Sequence, residues 1–143
     1  MEQPTASMLV IGDELLSGRT HDANMHHLAN ELTEVGINLS EARFIRDDAK
    51  VIVSNIVELS TKFDYLFTSG GIGPTHDDIT TDCVAEAFGR KVSVRSDAFK
   101  ILKKYYDGKG IELNEARLRM ARIPEKADLI ENPISGAPGY VIE

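Results

Sequence analysis

Apolar runs alternate with amphipathic segments through the first two-thirds of the chain. Residues 8–11 form a short continuous apolar run, which is typical of a strand covered on both faces in a parallel sheet. From 22 to 35 the apolar positions recur at helical spacing, and Gly36 follows as a helix-ending residue. Residues 39–45 predict a second strand, less buried than the first because charged residues interrupt it. The pattern therefore opens with a strand, a helix and a second strand.

The same order continues past residue 45. A helix is predicted after Asp48, and residues 64–68 predict a third strand. The predicted core face of that helix consists of Val51, Ile52, Asn55, Ile56 and Leu59. A further helical stripe, closed by Gly89, consists of Ile79, Cys83, Val84, Ala87 and Phe88. Three successive βα units predict an α/β sandwich with a parallel sheet.

The last third of the chain has a weaker pattern. Residues 92–94 fit a short strand, and Ser96 is the predicted cap of the next helix. The inward positions of that helix are predicted to be Phe99, Leu102, Tyr105 and Tyr106. Residues 112–121 predict a shorter helix, and 129–130 and 140–142 predict strands around a glycine-bearing turn at 132–139. We expect a single domain over 1–143, trimmed at its C-terminal end because the pattern stops within a strand.

Composition and charge narrow the classes of partner. The net charge of −7 argues against a nucleic-acid backbone or an anionic membrane as partner. No apolar run approaches the length of a membrane span, and the polar start lacks the regions of a signal peptide. We therefore expect a cytoplasmic protein. The single Cys83 excludes an intrachain disulfide and is expected to be a core residue.

A glycine-rich turn between the third strand and the next helix is the main candidate for chemistry. It contains Gly70, Gly71 and Gly73, and it ends in the pair Asp77 and Asp78. A strand, a glycine turn and a helix start in this order make an anion site, because the backbone and the free helical N–H groups approach a phosphate closely. Two carboxylates beside a phosphate require a hard cation between them. The alternative is a tight structural turn in which Asp78 caps the helix.

Other unusual residues also follow predicted strands. The pair Asp13 and Glu14 follows the first strand, and the pair Asp47 and Asp48 follows the second. Ligands of parallel sheets bind outside the carboxyl ends of the strands, so we expect one concave site there. Asp48 has a simpler alternative role as a helix cap. The arginines of residues 117–122 either meet phosphates or form a solvated face.

Three motifs together resemble the molybdopterin-binding fold family. They read Gly-Asp-Glu-Leu-Leu-Ser-Gly-Arg at 12–19, Gly-Gly-Ile-Gly-Pro-Thr-His-Asp-Asp-Ile-Thr at 70–80 and Asn-Pro-Ile-Ser-Gly-Ala-Pro-Gly at 132–139. The family includes molybdopterin adenylyltransferases, gephyrin-type proteins and the N-terminal domain of competence/damage-inducible proteins, and the match is closest to the last. The resemblance implies a three-layer α/β/α sandwich with a mostly parallel mixed sheet, and a pocket for a pterin or a nucleotide phosphate.

The resemblance also implies roles for individual residues. The implied catalytic residues are Asp78, Asp48 and Asp47, and the implied metal ligands are Asp77, Asp78 and Asp48. The implied ligand-binding residues are Gly12, Asp13, Glu14, Ser69, Gly70, Gly71, Gly73, Thr75, Ser135, Gly136 and Pro138. Ile72 departs from the adenylyltransferases, which have Thr there. The Leu-Pro-Gly-x-Pro stretch and deamidase domain of competence-type proteins are absent from this sequence.

Three functions are compatible with these residues. The first is metal-dependent hydrolysis of a nucleotide pyrophosphate of the ADP-ribose or FAD type, with Mg, Mn or Co as the divalent ion. The second is adenylyl transfer to molybdopterin, and the third is a non-catalytic module that binds a pterin or nucleotide. The fold alone does not choose among them. We expect a small-molecule ligand, no nucleic-acid or membrane partner, and, from the resemblance, a homodimer or homotrimer.

Overall fold

The computed structural model of the protein describes residues 2–143. They fall into two compact units, which divide between Gly71 and Ile72. The prediction of one domain over residues 1–143 stays a prediction. Within the described residues, no helix combines the length and the apolar character that crossing a membrane requires.

The first unit is built of two strand–helix repeats followed by a third strand. Its elements are β1 (Thr5–Ile11), α1 (Asp13–Leu16), α2 (Asn24–Glu34), β2 (Asn38–Ile45), α3 (Ala49–Lys62) and β3 (Tyr65–Ser69). The strands form a parallel sheet in the order β2-β1-β3. The predicted α/β class and parallel sheet are therefore confirmed. Because parallel strands end on the same edge, the loops after β1, β2 and β3 lie together.

Strand β1 is the core of this unit. It is flanked on both sides by a strand, and six of its seven residues are buried. Such burial on both faces requires the continuous apolar run that the sequence shows. Ile52, Ile56 and Leu59 of α3 are also fully buried, as the helical pattern predicted. The prediction for α2 was less accurate, because only Leu32 is buried and Val35 is 70% exposed just beyond the helix.

The second unit is built of short elements. They are α4 (Thr80–Ala87), β4 (Val92–Val94), α5 (Ser96–Lys109), α6 (Glu115–Leu118), the 3-10 helix Arg119–Ala121, β5 (Arg122–Pro124), β6 (Asp128–Ile130) and β7 (Gly139–Val141). Strands β4 and β5 pair antiparallel, as do β6 and β7. The fold is therefore mixed α/β, as predicted.

Three local predictions in this unit were wrong. The predicted helix at 112–121 is one α-helical turn followed by the 3-10 helix, and the chain then enters β5. Phe99 is 38% exposed, and the fully buried positions of α5 are Ala98 and Leu102. Ser96 is the first helical residue, since Arg95 occupies the cap position. Strand β5 was missed because it has only three residues and contains a proline, which strands accept mainly at an edge.

Candidate functional site

In the first unit, two carboxylates join the loops after β1 and β2. The Asp13 N–H donates to Asp47 Oδ2 at 3.1 Å, and the Asp47 N–H donates to Asp13 Oδ1 at the same distance. The Gly12 N–H donates to the carbonyl of Ile45 at 3.0 Å. A Cβ at Gly12 would lie 2.6 Å from the Glu14 carboxylate, so that side chain folds back over the backbone. The predicted residues Gly12, Asp13, Glu14 and Asp47 therefore come together at one edge of the sheet.

The end of β3 lies against the same loop. Gly70 has a φ of +96°, and a Cβ there would lie 2.0 Å from the carbonyl oxygen of Ile11. The chain thus passes the end of β1 at a distance that only glycine allows. The hydroxyl of Ser69 accepts a hydrogen bond of 2.8 Å from Asn24 Nδ2, at the start of α2. Ser69 and Gly70 are therefore placed at the carboxyl ends of the strands, as predicted.

Asp48 is a helix cap. Its Oδ1 accepts from the N–H of Val51 at 3.2 Å, and its Oδ2 lies 4.0 Å from Arg46 Nη2. This arrangement satisfies one of the unpaired N–H groups in the first turn of α3. The structural alternative for Asp48 is therefore confirmed, while its predicted catalytic and metal-binding roles stay predictions.

We predict that Asp48→Ala lowers the free energy of unfolding by about 1 kcal/mol, whereas Asp48→Asn changes it little, because Asn caps about as well as Asp. Urea unfolding of the two variants beside the parent protein measures the difference. An Ala variant as stable as the parent would contradict the capping role. Lower turnover in a fully stable Asn variant would add a functional role to the structural one.

Asp78, in the second unit, closes the glycine-rich turn. Its Oδ2 accepts from the N–H of Thr75 at 2.9 Å and from the Thr75 hydroxyl at 2.8 Å. A Cβ at Gly73 would lie 2.8 Å from the same oxygen, so this carboxylate needs glycine at that position. Helix α4 begins at Thr80 with Ile79 in the cap position and no side-chain cap. The alternative in which Asp78 is only the cap of this helix is therefore wrong.

A small polar pocket adjoins this turn within the second unit. Its lining residues are Ile72, Gly73, Asp78, Thr81, Arg119, Met120, Arg122, Ile123, Pro138 and Tyr140. The space has a volume of about 10 Å³, roughly that required by one water molecule. A nucleotide or pterin would therefore lie across its mouth, with single atoms entering. The pocket unites the predicted residues Gly73, Asp78 and Pro138.

Two polar lining groups of the pocket are already paired. Arg122 donates to both carboxylate oxygens of Asp82, at 2.7 and 3.2 Å, and this hydrogen bonding raises the pKa of Arg122. The Tyr140 hydroxyl donates to Thr81 Oγ1 at 3.2 Å, and burial raises the pKa of Tyr140 to about 12. Tyr140 is therefore neutral at physiological pH and suited to hydrogen bonding rather than to proton abstraction.

The second glycine-bearing turn contributes to the pocket only through Pro138. Gly136 has a φ of +73°, and a Cβ there would lie 2.4 Å from the ring of Tyr105. The Tyr105 hydroxyl donates to the carbonyl of Ile134 at 2.8 Å, which holds the turn against α5. Ser135 is exposed, and its hydroxyl accepts from Asn132 Nδ2 at 2.8 Å. The contacts of Gly136 and Ser135 are thus structural, and their predicted ligand-binding roles stay predictions.

The carboxylates are sparse for a metal site made of protein ligands alone. Within residues 2–143, neither unit has a group of three or more His, Cys, Asp or Glu side chains placed to hold a metal ion. Asp77 is 79% exposed and pairs with His76 Nε2 at 3.3 Å. Mg²⁺ commonly uses one or two carboxylates together with substrate phosphates. The residues present therefore fit an ion that arrives with a phosphorylated ligand.

Several pocket residues were not identified from the sequence. Thr81 and Tyr140 were assigned only to a helix and a strand, and Arg119 was one of three arginines expected either to meet phosphates or to form a solvated face. The ion pair between Asp82 and Arg122 joins positions 40 residues apart, which no local pattern reveals. The available signal was the concentration of three arginines within residues 117–122, but spacing alone does not show which of them are paired.

The chain resembles proteins of one family over nearly its whole length. A family profile described as "Probable molybdopterin binding domain" matches residues 7–143. Protein PH0439 of Pyrococcus horikoshii is 40% identical over 96% of this chain and 57% of its own length. A CinA-like protein of Citrifermentans bemidjiense is 37% identical over 95% of this chain and 33% of its own length. The chain spans about half the length of the curated relatives it matches.

Solved structures agree with these relatives. The protein CinA of Thermoplasma acidophilum, described as having unknown function, is 34% identical with a TM-score of 0.87, covering 96% of this chain and 80% of that one. The tungsten cofactor synthesizing protein MoaB of Pyrococcus furiosus is 20% identical with a TM-score of 0.57, covering 77% and 67%. The second likeness shows the fold alone. The chain therefore belongs to the molybdopterin-binding domain family and lies near the CinA-like proteins within it, as its three motifs predicted.

Proposed function

We propose that the chain binds a nucleotide pyrophosphate of the ADP-ribose or FAD type and hydrolyses it with the help of a divalent metal ion. The geometry of Asp78 carries this proposal. One carboxylate oxygen is fixed by Thr75, and the other makes no hydrogen bond to residues 2–143. The half-buried side chain lines the pocket beside Gly73. A carboxylate that is oriented in this way and still has a free oxygen suits an ion bound together with phosphate.

Three residues of the turn would have separate roles in binding and hydrolysis. Gly73 has no side chain, so a phosphate can approach the backbone of the turn. Thr75 holds the carboxylate of Asp78 in place, and Asp78 would hold the ion. When bound, a divalent ion neutralises phosphate charge and lowers the pKa of an attacking water. Attack of a water on the adenosine-bearing phosphorus would break the phosphoanhydride bond and give AMP together with the phosphate monoester of the other half, which is ribose 5-phosphate from ADP-ribose or FMN from FAD.

Adenylyl transfer to molybdopterin is less well supported. Ile72, which is 39% exposed and lines the pocket, stands where the adenylyltransferases have Thr. Its side chain offers no hydroxyl to a phosphate or a pterin. The likeness to MoaB shows a shared fold, and a shared fold does not carry an activity with it. Hydrolysis needs only water as the acceptor, so it is the simpler reaction for these residues.

The proposal predicts release of free AMP. ADP-ribose, FAD, NAD and ATP are incubated with the protein and Mg²⁺, Mn²⁺ or Co²⁺, and the products are separated by chromatography. We expect AMP from ADP-ribose or FAD, and none after chelation with EDTA, because the metal supplies the attacking water. Release of AMP that is unaffected by EDTA would contradict the metal dependence.

A parallel reaction containing molybdopterin and ATP separates the alternatives. AMP attached to molybdopterin would replace the hydrolytic proposal with adenylyl transfer. Binding of these nucleotides without any AMP, free or attached, would replace it with a non-catalytic module. We also propose, from the family resemblance, that the chain forms a dimer or trimer. Light scattering on a sizing column in the same buffer tests this, and a strictly monomeric species would contradict it.

A further inference from the structure

Arg119 is the unsatisfied polar group of the pocket. It lies in the 3-10 helix Arg119–Ala121, and its side chain lines the space beside Gly73 and Asp78. Its Nε is buried and has no hydrogen-bond partner within residues 2–143. Nor does Arg119 form an ion pair with any carboxylate of these residues. Burial of an unpaired donor in a charged group is unfavourable, so a partner from outside the chain is expected.

The two neighbouring arginines, Arg117 and Arg122, both have partners within the protein. Arg122 is bonded to both oxygens of Asp82, at 2.7 and 3.2 Å. Arg117 donates to the carbonyl of Glu112 at 2.8 Å and lies over the ring of Tyr106, 5.5 Å from its centre. Three arginines within six positions thus have three different environments, and Arg119 alone among them lacks a protein partner.

The dimensions of the pocket indicate what the partner is. A volume of about 10 Å³ accepts a water molecule or a single ligand oxygen, but not a ring. A guanidinium group binds phosphate oxygens with strong charge-assisted hydrogen bonds. Asp78 does not compensate Arg119 directly, because no ion pair joins these two side chains within residues 2–143. A phosphate oxygen in this pocket would therefore meet a cationic donor from Arg119 and, with a metal ion, the carboxylate of Asp78, since both residues line the space.

We propose that Arg119 is a positioning residue that binds a phosphate oxygen of the nucleotide at this pocket. The proposal rests on the binding half of the proposed function and does not require hydrolysis. It assigns the three arginines separate roles: Arg122 supports α4 through Asp82, Arg117 supports α5 through Tyr106, and Arg119 recognises the ligand.

The test compares Arg119→Met with Arg117→Met, which makes the same change of charge two positions away and outside the pocket. Calorimetric titration with ADP, in Mg²⁺ and separately in EDTA, gives the dissociation constant. We expect Arg119→Met to weaken ADP binding roughly 10- to 150-fold, the size of one lost hydrogen bond to a charged group. Arg117→Met should stay within about twofold of the parent, since Arg117 and its contacts with Glu112 and Tyr106 lie outside the pocket and the removed charge is screened by salt. Arg119→Lys should recover part of the affinity, because it keeps the charge but loses the planar donors.

Thermal melts without ligand separate recognition from structural support. Removal of a half-buried guanidinium whose buried Nε has no partner should leave the melting temperature of Arg119→Met unchanged or raised. If that variant does not fold, the ADP affinity of Arg119→Lys is measured instead, and we expect binding weaker than in the parent, because Lys keeps the charge but lacks the planar donors. ADP affinity within twofold of the parent in Arg119→Met, an equal loss in Arg117→Met, or no ADP binding by the parent would overturn the proposal. ADP binding that depends on Arg119 without any AMP release would leave it standing while refuting hydrolysis.

Discussion

Asp78→Asn should keep the fold and reduce metal-dependent AMP release by a factor on the order of 10²–10⁴. The two oxygens of this carboxylate have different roles, and the substitution removes only one of them. One oxygen closes the turn on Thr75 through bonds of 2.9 and 2.8 Å, and a side-chain amide oxygen can accept the same bonds. The other oxygen is available for a cation, and an amide binds a divalent ion far more weakly because it carries no charge. Initial rates of AMP release at saturating metal, beside a thermal melt, measure both effects.

Asp77→Asn is the matched control, since it removes the same charge from the adjacent position. The Asp77 side chain is exposed and pairs only with His76 at the surface. We expect a much smaller loss of turnover than in Asp78→Asn. Full activity in Asp78→Asn would leave that carboxylate as a structural closure of the turn and would favour the binding module. An equal loss in the two variants would indicate a general effect of charge rather than a positioned ligand.

Gly70→Ala should destabilise the first unit by roughly 3 kcal/mol or more. Two penalties add at this position. The backbone φ of +96° is strained for any residue with a Cβ, and the new methyl group would lie 2.0 Å from the carbonyl oxygen of Ile11. That oxygen belongs to the backbone of β1, which is held by strands on both sides and has no room to retreat. Urea unfolding followed by circular dichroism measures the change.

Gly36→Ala isolates the first of these penalties. Its φ of +81° is close to that of Gly70, but no atom lies within 4 Å of the added methyl group. Only the backbone strain applies there, so we expect a loss of roughly 1–2 kcal/mol. If the two variants are equally stable, the close approach of Gly70 to Ile11 contributes nothing and the second penalty is refuted.

The parts of the fold that were predictable are those with a local signal. The apolar run of β1, the helical spacing of Ile52, Ile56 and Leu59, and the cap at Asp48 each depend on residues within a few positions of one another. The order of strands and helices then restricts the topology to a parallel sheet. The motif residues at strand ends were identifiable for the same reason, because a strand followed by glycines and carboxylates is a local pattern.

The unpredicted parts depend on distant contacts. Asp78 resembles a cap by position, but the turn curls back so that its carboxylate bonds Thr75 and helix α4 starts two residues later. The inward face of α5 is centred on Ala98 and Leu102, which are buried in one cluster with Met120 and Ala121 of the 3-10 helix and with Ile123 of β5. The difference between Arg119 and Arg122 depends on whether Asp82 is within reach, and Asp82 lies far away in sequence.

The position of β1 in the middle of its sheet has a consequence for folding. Ala6 pairs with Leu39 on one side and with Tyr65 on the other, so the second partner is synthesised long after the first. Because a ribosome adds roughly 5–20 residues per second, one edge of β1 stays unpaired for several seconds during synthesis. It is also the most apolar strand of the unit, and an open apolar edge is a template for pairing with another chain. Strand pairings between residues this far apart in sequence form slowly. The nascent first unit is therefore most prone to aggregation before residue 69 has emerged and β3 can pair with β1.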